Sequence, residues 1–136
     1  MGVSFYRNSE ACVLVFDLTT EDSFNNIDIW RTEFLKMLNP PEGDKFPFIL
    51  IGNKSDKKNE IKINQEQIDN YCKEHNNMIY FATSAMDGTN LDEAFNKVAE
   101  IALERYNKNN ADIVLPETKY LKFEKEEVKK KKCCSK

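Results

Sequence analysis

Glycine is scarce in this chain, with four among 136 residues, at Gly2, Gly43, Gly52 and Gly88. No two of them have the G-x-x-x-x-G-K-[ST] spacing with which a backbone loop cradles phosphates, so these residues contain no such loop. Histidine occurs once, and no His or Cys spacing fits a zinc site; His75 reads as a surface or capping residue near a helix end. Four cysteines do not suggest a disulfide framework, and Cys12 and Cys72 read as small core or boundary residues. Long apolar runs are missing too, since "CVLVF" and "FILIG" are far too short to span a bilayer. The opening "MGVSFYRNSE" lacks a basic region followed by an apolar core, and Tyr6 stands where a myristoylation motif needs Ser or Thr. The expectation is a chain that begins in the cytosol.

What is present fits one globular domain: 136 residues, 40% of them hydrophobic and 11% aromatic. The net charge of −3 is unevenly spread. Residues 107–136 carry nine lysines against five acidic groups, while the rest carries eleven basic against eighteen acidic side chains. An acidic body with a basic tail argues against nucleic-acid binding.

The run "ACVLVFDLT" (11–19) predicts a strand buried on both faces. "TTEDSF" supplies cap residues and early acids. Phe24, Ile27, Trp30, Phe34, Leu35 and Leu38 then recur at helical spacing, with Trp30 expected in the core. "FPFILIG" (46–52) predicts a second buried strand. Asn64 and Gln67 form a capping box opening a helix to about His75, and "MIYFATSA" (78–85) predicts a third strand. Asn90 and Glu93 read as another capping box, followed by a helix to Tyr106 with Leu91, Ala94, Phe95, Val98, Ile101 and Ala102 on one stripe. Strands alternating with helices predict an open parallel α/β sheet with right-handed crossovers. Periodicity ends at Asn107, and the polar, lysine-rich remainder reads as a disordered tail.

In such sheets, ligands bind at the C-terminal ends of the strands. Two loops leave that edge with unusual chemistry. In Asn53-Lys54-Ser55-Asp56, the Asp56 carboxylate can accept two parallel hydrogen bonds from guanine's ring N–H and exocyclic amine. Adenine has no such pair and would leave the charge unmatched. Asn53 can donate and accept at once, tying loops together or meeting a base nitrogen, and the Lys54 stem can lie against the base. In Thr83-Ser84-Ala85-Met86, a backbone N–H can meet a base carbonyl while Ser84 holds Asp56.

At these residues the chain resembles the Ras-like small GTPases, whose guanine motifs are Asn-Lys-x-Asp and Ser-Ala-Lys. "GVSFYRNSEACVLVFDLTTEDSFNNIDIWRTEFL" looks like the Rab family, and most like its late-endosomal, Rab-seven-type branch. The similarity covers residues 2 to 106 and the cysteine-bearing end. It implies the C-terminal part of a Ras-like P-loop GTPase fold, with 1–106 as a partial GTPase domain and 107–136 as a hypervariable tail. It further implies that Asn53, Lys54, Asp56, Ser84, Ala85 and Met86 hold the guanine of GTP or GDP. Met86 replaces the family's usual lysine.

The family's phosphate loop, switch threonine and catalytic glutamine have no counterpart in these residues. The same holds for its Mg2+ ligands, so no catalytic residue is assigned. The resemblance places "MGVSFYR" just after the second switch, which implies an N-terminally truncated chain with an open strand edge at 12–19 and poor solubility when isolated.

The ending "KKKKCCSK" resembles the Rab double-cysteine terminus, in which Cys133 and Cys134 receive geranylgeranyl groups. Two lipids, or one beside a polybasic patch, anchor stably. Lys129 to Lys132 would add attraction to an anionic leaflet. The resemblance thus implies prenylation and escort proteins and effectors as partners. It also implies residence on the cytoplasmic face of endosomal and lysosomal membranes, with a cytosolic pool, and a role in vesicle traffic. The rival reading is a non-enzymatic, lipid-anchored interaction module or decoy without nucleotide switching.

Overall fold

The computed structural model describes residues 6–110. Three strands, β1 (Cys12–Asp17), β2 (Phe48–Asn53) and β3 (Ile79–Ala82), form one parallel sheet in the order β1-β2-β3. Each is shorter than the apolar run that predicts it. Between and after them lie α1 (Glu21–Asn25), α2 (Ile27–Leu38), α3 (Gln65–Glu74) and α4 (Leu91–Asn109).

The register controls where the loops emerge. Asp17 stands opposite Asn53, and Gly52 stands opposite Ala82, so all three strands end level at one edge. Gly52 is required there: a Cβ would lie 2.7 Å from the Tyr80 hydroxyl and 3.0 Å from the Phe16 ring. The glycine leaves room for two aromatic side chains to pack over the strand.

One sheet face packs Leu14, Phe16, Phe48 and Leu50 against Ile27, Phe34, Ile68 and Cys72 of the helices. The other packs Ile49 and Ile51 against Ala94, with Val13, Phe81, Val98 and Ile101 partly buried around them. The central strand β2 is buried from Phe48 through Gly52. β1 is not buried on both faces as its composition predicts, because Val15 is 57% exposed. α4 covers Ile49, Ile51 and Phe81, and its cover runs out before Val15.

The predicted first helix is two helices broken at Asn26, and its inward stripe is Ile27, Arg31 and Phe34. That phase turns Trp30 outward, 61% exposed, contrary to its expected core place. Arg31 takes the inward position instead. Its guanidinium lies over the Phe48 ring at 5.5 Å and bonds the Asp44 carboxylate at 3.0 Å. Thr20, at the N-cap of α1, makes no side-chain cap bond.

The Asn64–Gln67 capping box is present in full, with Asn64 Oδ1 accepting from the Gln67 N–H at 2.8 Å and Gln67 Oε1 from the Asn64 N–H at 3.0 Å. The second predicted box is not formed. Asn90 adopts a left-handed φ of 55° and turns its side-chain amide to the Ala82 carbonyl at 2.7 Å. Of the predicted α4 stripe only Ala94 is buried, and Phe95 is 59% exposed. α4 also outruns its predicted end at Tyr106: the Asn110 backbone N–H and side-chain amide both donate to the Tyr106 carbonyl, closing the last turn at Asn109.

Candidate functional site

The level strand ends bring three loops together. The Ser55 N–H donates to the Thr83 carbonyl at 3.0 Å and the Thr83 N–H to the Gly52 carbonyl at 2.8 Å, so the second and third loops are stitched by backbone. Asn53 Oδ1 accepts from the Ala85 N–H at 3.0 Å and adds a side-chain stitch. The Ala85 N–H, one of those that the sequence offers to a base carbonyl, is therefore already engaged within the protein.

Ser84 is fully buried beneath the loops. Its hydroxyl donates to Asp56 Oδ1 at 2.7 Å and accepts from the N–H groups of Met86 and Asp87, each at 3.3 Å. One oxygen of an exposed carboxylate is thus fixed from below, leaving the remaining acceptor capacity turned to solvent. Asn53, Lys54, Asp56, Lys57, Ala85 and Met86 line a shallow hollow of about 360 Å³. Met86 stands at its edge, 87% exposed.

Lys54 has a left-handed φ of 68°. Its ammonium meets Asp17 Oδ2 at 2.6 Å, and nearly half of its side chain remains in solvent. Asp17 was not anticipated as a functional residue. Its other oxygen accepts from the Thr19 N–H at 2.8 Å and the Thr19 hydroxyl at 2.7 Å. Burial alone would raise the Asp17 pKa, but the hydrogen bonds from Lys54 and Thr19 outweigh it and hold the carboxyl at about 2. The signal for this residue was a carboxylate closing an apolar strand, with its importance depending on a register that pairs it with Asn53.

A larger hollow, about 470 Å³, lies at the other edge of the sheet beside Arg105. It contains none of this loop chemistry. Cys12 is half-buried, with burial pushing its thiol up to about 11, and Cys72 is buried and likewise raised. Neither suits nucleophilic work. Among the described residues, no three His, Cys, Asp or Glu side chains gather as a metal site. Cys133 and Cys134 lie outside the described residues.

A parallel sheet with amide, ammonium and carboxylate groups gathered at its C-terminal edge defines a Ras-like α/β domain. The Ras family model matches residues 1–104, and the chain belongs to that family. Within the family, its similarity runs to the Rab7-type branch. It is 38% identical over 136 residues to the Ras-related proteins Rab-7a and Rab-7b of Paramecium octaurelia, covering 98% of this chain and 65% of each relative. It is 42% identical over 104 residues to Ras-related protein Rab7 of Drosophila melanogaster, covering 76% of this chain and 50% of that protein. The chain thus spans less than two thirds of the length of these curated relatives.

Proposed function

We propose that this chain binds the base of a guanine nucleotide, GTP or GDP, at Asn53, Lys54, Asp56, Ser84, Ala85 and Met86. The observation carrying this reading is the Ser84-to-Asp56 hydrogen bond, which holds the carboxylate at a hollow shared by the other loop residues. Asp56 accepts the paired N–H groups of guanine. Lys54, tied at its end by Asp17, offers its stem to one face of the ring. Asn53 shares its amide between the Ala85 N–H and the base. The donor and acceptor set fits the base. For Mg2+, the described residues provide no cluster of ligands, and no phosphoryl-transfer step is assigned to them.

On this reading the chain contributes base recognition to a Rab-type regulator of endosomal and lysosomal vesicle traffic. Residues 1–106 act as a partial GTPase domain and 107–136 as a tail lipidated at Cys133 and Cys134. Prenylation and escort proteins and effectors are its partners, and the cytoplasmic face of endosomal and lysosomal membranes is its site. The similarity to the Rab7 proteins and the "KKKKCC" sequence support this assignment.

The test is titration of the purified chain with fluorescently labelled GDP, with unlabelled GDP and ADP as competitors. Displacement by GDP and not by ADP is expected. Equal displacement by both would remove the guanine assignment. Absence of binding at millimolar nucleotide would favour a lipid-anchored module without nucleotide switching.

A further inference from the structure

Among the described residues, Met86 is the most exposed of the large apolar side chains. A single exposed apolar residue needs no explanation by itself. This one lines the hollow of about 360 Å³ together with Asn53, Lys54, Asp56, Lys57 and Ala85. Its backbone N–H donates at 3.3 Å to the same Ser84 hydroxyl that holds Asp56. The thioether is therefore carried on the loop that fixes the carboxylate.

Met86 also differs from the other methionines. Met78 is buried in the core and Met37 is half-buried on α2, while Met1 lies outside the described residues. Oxidation of a thioether needs access to the sulfur, and Met86 has it. Burial raises the pKa of the Cys12 and Cys72 thiols, so both are poor competitors for an oxidant.

We propose that Met86 is an oxidation site through which a hydroperoxide weakens nucleotide binding at the hollow. The sulfur attacks one peroxide oxygen, and an S–O bond forms as the O–O bond breaks. The thioether gives up two electrons and becomes a sulfoxide, while hydrogen peroxide is reduced to water. A flexible apolar stem thus becomes a polar group with an acceptor oxygen and no donor. To cover a base it would have to give up hydration that the thioether never had. Methionine sulfoxide reductases return the thioether, so the change is reversible. This inference rests on the guanine reading of the site and adds a means of regulating it.

Peptide mapping and GDP titration of the full 136-residue chain test this. Under hydrogen peroxide, Met86 should oxidise several-fold faster than Met37. Saturating GDP should slow Met86 and leave Met37 unaffected, and ADP should slow neither. After a thiol reductant has restored the cysteines, the oxidised chain should bind labelled GDP about two- to ten-fold more weakly, the range of a lost sulfur–aromatic contact. Methionine sulfoxide reductase should recover the affinity. A Met86→Leu variant, whatever its own affinity, should not respond to peroxide, and Met37→Leu should respond as the unsubstituted chain does. Met86 reacting no faster than Met37, equal GDP binding by both forms, or a response that persists in Met86→Leu overturns the proposal and leaves the guanine reading standing. If the unoxidised chain binds no GDP, both fall.

Discussion

The Lys54 ammonium reaches from the loop after β2 to the end of β1 and meets the Asp17 carboxylate at 2.6 Å. This pair ties down the lysine beside the hollow that Asn53 and Asp56 also line, the polar groups of the proposed base site. The carboxylate that positions the lysine comes from a different strand, 37 positions earlier in the chain, and the in-register pairing of Asp17 with Asn53 delivers it.

Asp56→Asn tests the chemistry of the base clamp. The amide can still accept one hydrogen bond but presents an N–H where guanine also donates. Guanine nucleotide binding should fall by ten- to a hundred-fold, in line with about 1.5–3 kcal/mol for a hydrogen bond to a charged group. Xanthine nucleotides, which carry a carbonyl at that position, should gain. Competition titrations with GDP and XDP read both changes. Ser84→Ala should weaken binding without this exchange of preference, since it frees the carboxylate and leaves its chemistry intact.

Acid should loosen the loops through Asp17. Its folded pKa, about 2, lies below its ordinary value of 3.8, so its contribution is fully present above the ordinary value and is lost as pH falls through 2. Because the Lys54 partner is partly solvated, the contribution is roughly 1–2 kcal/mol. Asp17→Asn should be less stable than the unsubstituted chain at neutral pH, and the gap should close between about pH 4 and pH 2. Urea unfolding at several pH values measures this. A gap independent of pH would show that the ion pair contributes nothing.

Gly52→Ala should destabilise the sheet by about 1–3 kcal/mol, the usual cost of forcing a methyl group into a packed site. The closest obstacle is the Tyr80 hydroxyl, and the Phe16 ring is next. Adding Tyr80→Phe should recover part of the loss and not all of it. Thermal unfolding of the single and double variants gives both numbers.

Arg105→Ala should cost about 2 kcal/mol, below the range for fully buried pairs because its carboxylate partners remain partly hydrated. Hydrogen bonds from Arg105, which is largely buried, keep Glu42 below the usual carboxylate range. In the variant the Glu42 carboxyl should titrate closer to an ordinary glutamate, which NMR would follow directly.

The alternation of strands and helices and the loops that follow the strands were legible because they rest on local apolar runs and on the residues that end them. The Asn64–Gln67 box was legible for the same reason: its two bonds lie within one turn. Trp30 was misplaced because the break at Asn26 sets the phase of α2, and Arg31, with a long stem and two carboxylates nearby, fits the inward position. Asn90 was misread because the Ala82 carbonyl, eight residues away, competes for its amide. Asp17 escaped notice because its partner lies in another loop. The misses at Arg31, Asn90 and Asp17 concern polar side chains whose partners are set by tertiary placement.

α4 also acts as a spacer. It starts beside the loops that carry Asn53 and Asp56, where Asn90 bonds Ala82, and ends near the Arg105–Glu42 ion pair. Its 19 residues make a rod of about 28 Å. The polypeptide that leads to the terminal cysteines departs from the far end of that rod. On the proposed lipidation of Cys133 and Cys134, the tether to a bilayer would start at the pole opposite the hollow. The Asp56 carboxylate would then lie about the length of α4 away from the start of that tether.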